Sequence, residues 1–231
     1  MRRLLFLLLI SACARHDELQ VAAAASLQDA LREIGANYEK QTHERVSFAF
    51  GASNILAMQI RAGAPVDVVL LADEPTMDKI ADLIAAREDL LSNELVVVSR
   101  EPLRDLLSVN RLALGDPNAV PAGVYAREYF QQHGMWEALR PKVIPMDNVR
   151  AALAAADNGS VDAAVVYRTD ALLAQRARIT MTLSGPVIRY PVAVLRNAKH
   201  PDAARRFVQY LASPDAAAVF RRYGFVVLVS S

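Results

Sequence analysis

Residues 19–71 read LQVAAAASLQDALREIGANYEKQTHERVSFAFGASNILAMQIRAGAPVDVVLL, and the reading of this stretch decides the fold class. Leu19 to Ala25 is an apolar run of strand length. From Leu27 the apolar positions Leu27, Ala30, Leu31, Ile34 and Tyr38 recur at a helical period. Arg45 to Phe50 predicts a second strand, and a second helix follows Ser53 and ends before Gly63-Ala64-Pro65. Val66 to Leu71 predicts a third strand, continuously apolar after Asp67 as in a sheet covered on both faces. The pattern is β-α-β-α-β, which builds a parallel sheet through right-handed crossovers. Ser26 is expected to cap the first helix, with Asp29 three residues on in a near capping box.

Working outward, Leu95 to Ser99 predicts a strand, and Leu112-Ala113-Leu114 leads into the turn Gly115-Asp116-Pro117. A helix opens at Pro121 and runs through Gln132; proline suits a first helical position because the N–H it lacks would be unpaired there. Lys142 to Pro145 predicts a short strand, and Asp147 the cap of a helix running to about Asp157. Asp162 to Tyr167 is a strand leading to a short helix from Thr169, and Val187 to Leu195 a long apolar run. Two helices, Pro201 to Ala212 and Pro214 to Tyr223, close the chain. Two sets of βα units, with long strands near Leu95 and Val192 crossing between them, predict two lobes. The first comprises residues 19–94 and 189–231, and the second residues 95–188. Ligands of open α/β sheets sit beyond the carboxyl ends of the strands, so the expected site is the cleft between the lobes. Two serines at helix starts place hydroxyls beside first-turn N–H groups, the donors that a small oxyanion requires.

Composition narrows the functional classes. The 231 residues are 53% hydrophobic and poor in aromatics, which suits alternating α/β structure. Met1-Arg2-Arg3 followed by the apolar Leu4 to Ile10 reads as a secretory signal, since seven apolar residues fall far short of the ~20 that span a bilayer. Residues 1–18 are therefore expected to be signal and tether. Ile10-Ser11-Ala12-Cys13 resembles a bacterial lipobox, with Cys13 the lipidated first mature residue; cleavage after Ala12-Cys13-Ala14 is the alternative. Cys13 is the sole cysteine, so neither an internal disulfide nor a thiolate cluster is available. Without residues 1–12, 24 basic residues face 25 acidic ones, which argues against nucleic-acid binding by bulk charge. An anion must be held by local dipoles.

The stretches AAAASLQDAL, FGASNILAMQIRAGAPVDV, LGDPNAVPAGVYARE, DNVRAALA, YPVAV and FRRYGF, with Val-Val-Tyr ending at Tyr167, occur in the order found in one family. Over about Val21 to Phe225 the chain closely resembles the periplasmic molybdate-binding proteins of bacterial ABC importers. The resemblance implies a type II periplasmic-binding-protein fold and a tetrahedral dianion held between lobes by neutral donors. It implies contacts from the Ser26 and Ser53 hydroxyls, from the backbone N–H groups of Ala122 and Val149, and from the Tyr167 phenol. Many relatives carry consecutive serines at the second helix start, whereas here Ser53 stands between Ala52 and Asn54. Molybdate or tungstate is the implied ligand, with sulfate or another small oxyanion the alternative. A membrane permease is the implied partner, and a monomeric periplasmic protein, lipid-anchored or free, the implied form. No cofactor and no cation site are implied.

The residues read in the same direction without the family. An oxyanion's oxygens only accept hydrogen bonds, and Ser, Tyr and N–H groups donate them. A serine at a helix start is also the commonest N-cap, and a tyrosine at a strand end commonly packs. Asp116 reads as a turn residue, Arg150 as a salt-bridge partner, and Trp136 as core or lobe surface. His16, His43, His133 and His200 lack ligand spacing. A serine hydrolase is disfavoured because no Gly-x-Ser-x-Gly elbow occurs, and a transcriptional effector domain by the secretory signal and the absence of a DNA-binding helix pair.

Overall fold

A computed structural model describes residues 18–228. The signal and lipidation readings at Cys13 lie outside the described residues. Strand β1 (Leu19–Ala24) runs through a 3-10 turn, Ala25–Leu27, into helix α1 (Gln28–Thr42). β2 (Val46–Gly51), α2 (Ser53–Arg61), β3 (Val68–Leu70) and α3 (Glu74–Asp78) follow. Then come β4 (Ile84–Ser99), β5 (Leu112–Gly115), α4 (Pro121–Gln132), α5 (Trp136–Leu139), β6 (Val143–Met146) and α6 (Val149–Asn158). β7 (Ala163–Tyr167), α7 (Arg168–Ala171), β8 (Arg178–Leu195), α8 (Pro201–Leu211), α9 (Pro214–Arg222) and β9 (Val226–Val227) complete it.

The sheet order is β2-β1-β3-β8-β4-β7-β5-β6, with β9 paired to β4. β2, β1 and β3 are mutually parallel, as are β7, β5 and β6. Between these triplets lies the antiparallel pair β8 and β4. Both are longer than the apolar runs predict, because their buried C-terminal stretches, residues 95–99 and 190–195, are preceded by stretches with exposed residues such as Arg87 and Ser184. Their register jumps from Asn93↔Ile188 to Leu95↔Leu183, so the sheet changes partners where the chain passes between halves. The parallel strands are nearly all apolar and buried, as strands covered on both faces must be.

Local chemistry differs from expectation at the helix starts. Ser26 does not cap α1: the 3-10 turn places Leu27 at the cap, with no side-chain capping bond. α6 is capped by Asn148, whose side chain accepts the Ala151 N–H at 3.0 Å, and not by the exposed Asp147 one residue earlier. Ser53 is the first residue of α2 and Ala52 its cap. Asp116 is a turn residue, its carboxylate accepting the Asn118 N–H at 2.9 Å. Trp136 packs half-buried against the core. Among the described residues no helix is long and apolar enough to cross a membrane.

Candidate functional site

All six parallel strands point their carboxyl ends at one place. β1 delivers Ala25 and Ser26, β2 delivers Ala52 and Ser53, and β3 delivers Ala72. From the other half, the loop after β5 leads to Val120, Pro121 and Ala122, β6 leads to Asn148 and Val149, and β7 ends on Tyr167. These residues, with Ala24 and Gly51, line a cavity leaving ≈ 20 Å³ for the centre of a water-sized sphere. A single water needs ~10–15 Å³ on that measure, so the space suits a compact solute of few atoms. Ser26, Ser53, Ala122, Val149 and Tyr167 all lie on its wall, each at most 4% exposed.

Each supplies a donor. The Ser53 oxygen accepts the Ala72 N–H at 3.0 Å, which occupies a lone pair and leaves the hydroxyl proton for the cavity. The Ser26 oxygen lies 3.1 Å from the hydroxyl of Tyr190, a residue that does not line the cavity. The Tyr167 hydroxyl is buried without a hydrogen-bond partner, and burial pushes its pKa well above the usual phenol value, so it keeps its proton. A buried orphan hydroxyl costs free energy unless something accepts from it. Ala122 and Val149 occupy the first turns of α4 and α6, whose N–H groups have no acceptor within their own helix. At α4 the backbone approaches β5 closely: a Cβ on Gly123 would lie 1.8 Å from the Gly115 carbonyl oxygen.

Arg150 is a salt-bridge partner, as the sequence predicts. From α6 it reaches across the halves to the Asp29 carboxylate (2.7 Å) and the Ser26 carbonyl (3.4 Å), and it also pairs with buried Asp170. Two carboxylates take up its charge, so the cavity faces dipoles rather than a free cation. Burial raises the Asp170 pKa to about 6 even though Arg150 pulls it down. Sequence reasoning missed Ala72 on the wall and Asn93 and Asp170 behind it, and gave Tyr190 no role. Tyr190 lies in a motif that marked it, whereas Asn93 sits among polar residues of β4 with no local signal.

Two parallel half-sheets whose strand ends converge on a small cavity between them define a two-lobed solute-binding fold of type II. Residues 19–226 match the bacterial extracellular solute-binding proteins, and the chain belongs to that family. It is 37% identical to the molybdate-binding protein ModA of Escherichia coli, over 94% of this chain and 92% of that one. It is 34% identical to YvgL of Bacillus subtilis, a putative ABC transporter substrate-binding lipoprotein, over 94% and 93%. The fold matches the periplasmic molybdate-binding protein of Azotobacter vinelandii with a TM-score of 0.81 at 21% identity, covering 91% and 99% of the two chains.

Proposed function

We propose that this protein binds molybdate, and tungstate with it, outside the cytoplasm and delivers it to the membrane permease of an ABC importer. The observation that carries the reading is the convergence of six strand ends on one small cavity that Ser26, Ser53, Ala122, Val149 and Tyr167 line together. Ser26, Ser53 and Tyr167 give hydroxyl protons, and Ala122 and Val149 give backbone N–H groups. Hydrogen bonds to a charged partner contribute ~1.5–3 kcal/mol each, and several together offset the desolvation of a dianion without a cation. A wall of donors disfavours a protonated oxyanion, which needs an acceptor. Residues 19–94 with 189–231, and residues 95–188, act as the two bodies that close on the ligand. The protein is a carrier rather than an enzyme, monomeric, and needs no cofactor. Lipidation at Cys13 would tether it to the membrane, in keeping with the lipoprotein named among its relatives.

Calorimetry with molybdate, tungstate, sulfate and phosphate tests the reading. Micromolar or tighter binding, about −8 kcal/mol or better, is expected for the first two. Heat from sulfate alone would move the assignment to a sulfate carrier.

A further inference from the structure

The Ser26 hydroxyl stands between the cavity and a buried polar chain whose protons have only one consistent arrangement. Asn93, 5% exposed in β4, accepts the Glu94 backbone N–H through Oδ1 at 2.9 Å. A backbone N–H only donates, so the atom facing it is the amide oxygen and the other terminal atom is nitrogen. That nitrogen donates to Thr169 Oγ1 at 2.9 Å and to the Tyr190 hydroxyl oxygen at 3.3 Å. Tyr190 therefore accepts from Asn93, and its single proton is left for its other neighbour, Ser26 Oγ at 3.1 Å. With Tyr190 donating, the serine's own proton points away from the chain and into the cavity. In the opposite arrangement Ser26 donates to Tyr190. The Tyr190 proton then has no acceptor among the described residues, and serine lone pairs face the ligand.

We infer that Asn93 and Tyr190 are positioning residues that turn the Ser26 proton toward the ligand, through a one-way chain from Asn93 to Tyr190 to Ser26 to the bound oxyanion. Neither lines the cavity. They sit on β4 and β8, the strands that join the two halves, while Ser26 belongs to one half and Thr169 to the other. The orientation of one ligand-facing hydroxyl is thus set at the crossover. Ser53 reaches the same state more simply, through the Ala72 N–H. A serine whose proton points into the cavity favours a bare oxyanion oxygen, which accepts it.

The inference rests on the oxyanion-binding reading, and a double-mutant cycle separates the two. Wild type, Tyr190→Phe, Ser26→Ala and the double variant are titrated with molybdate by calorimetry. Each single variant is expected to weaken binding on the order of tenfold, and the double variant no more than Ser26→Ala alone. A Tyr190→Phe loss that persists undiminished in the Ser26→Ala background, or no loss at all, would overturn the inference and leave molybdate binding intact. Wild-type protein that takes up no molybdate would instead overturn the function itself. If Tyr190→Phe does not fold, Asn93→Asp puts an acceptor where the donor stood and reverses the chain. Its loss of affinity is expected to disappear in the Ser26→Ala background; a loss that remains there is plain charge repulsion and defeats the proposal.

Discussion

At the scale of single residues, the cavity is defined by which protons are free. Tyr167 keeps its proton because ionising it in a buried site is costly, and Ser53 exposes its proton because a main-chain N–H occupies its oxygen. Asp170 shows the opposite balance. Its folded pKa, about 6, lies above that of a free aspartate, so the folded state binds the extra proton between pH ~4 and 6. The ionised group therefore burdens the fold fully above pH ~6, and the burden is relieved as pH falls towards 4. Wild type is expected to gain stability relative to Asp170→Asn over that window, by at most about 1.4 kcal/mol per pH unit. Denaturant melts at pH 7, 6 and 5 read this directly, and parallel pH dependences would refute it. Ser26 and Ser53 were legible as donor candidates because each is a serine after an apolar run, and neither side chain caps its helix. A contact 164 residues away along the chain decides what the Ser26 oxygen does.

At the scale of elements, the parallel strands lead to the cavity, and α2, α4 and α6 present their first residues there. The alternation of strand and helix periods made this legible. The caps were not: Asn148 rather than Asp147 closes the start of α6, a one-residue choice made by where β6 leaves the sheet. Tight backbone contact holds α4 in place. A methyl group on Gly123 meets the Gly115 carbonyl oxygen at 1.8 Å, a distance no side-chain adjustment relieves. Gly123→Ala is expected to cost about 1–3 kcal/mol of stability, as overpacking does, and to weaken ligand binding by shifting the Ala122 N–H. Denaturation and calorimetry together check it, and a variant equal to wild type in both would show that α4 is free to move.

At the scale of the molecule, Arg150 joins the halves on one side of the cavity while β4 and β8 join them on the other. In the proposed function, the first link would open and the second bend as the lobes open and close on the ligand. Small-angle scattering is expected to show a smaller radius of gyration on adding molybdate. Arg150→Met, which lacks the Asp29 bridge, is expected to need more molybdate for the same change. Superimposable titrations of the two proteins would remove Arg150 from the closing mechanism.

From its own order, the chain determined a parallel α/β sheet in two halves and placed donors at their strand ends, because periodicity and turn chemistry are local. The small cavity, the direction of the Ser26 proton and the sharing of Arg150 between two carboxylates came only with the tertiary structure. Each needs groups brought together from distant parts of the chain, and the free energy of such a meeting belongs to no single segment.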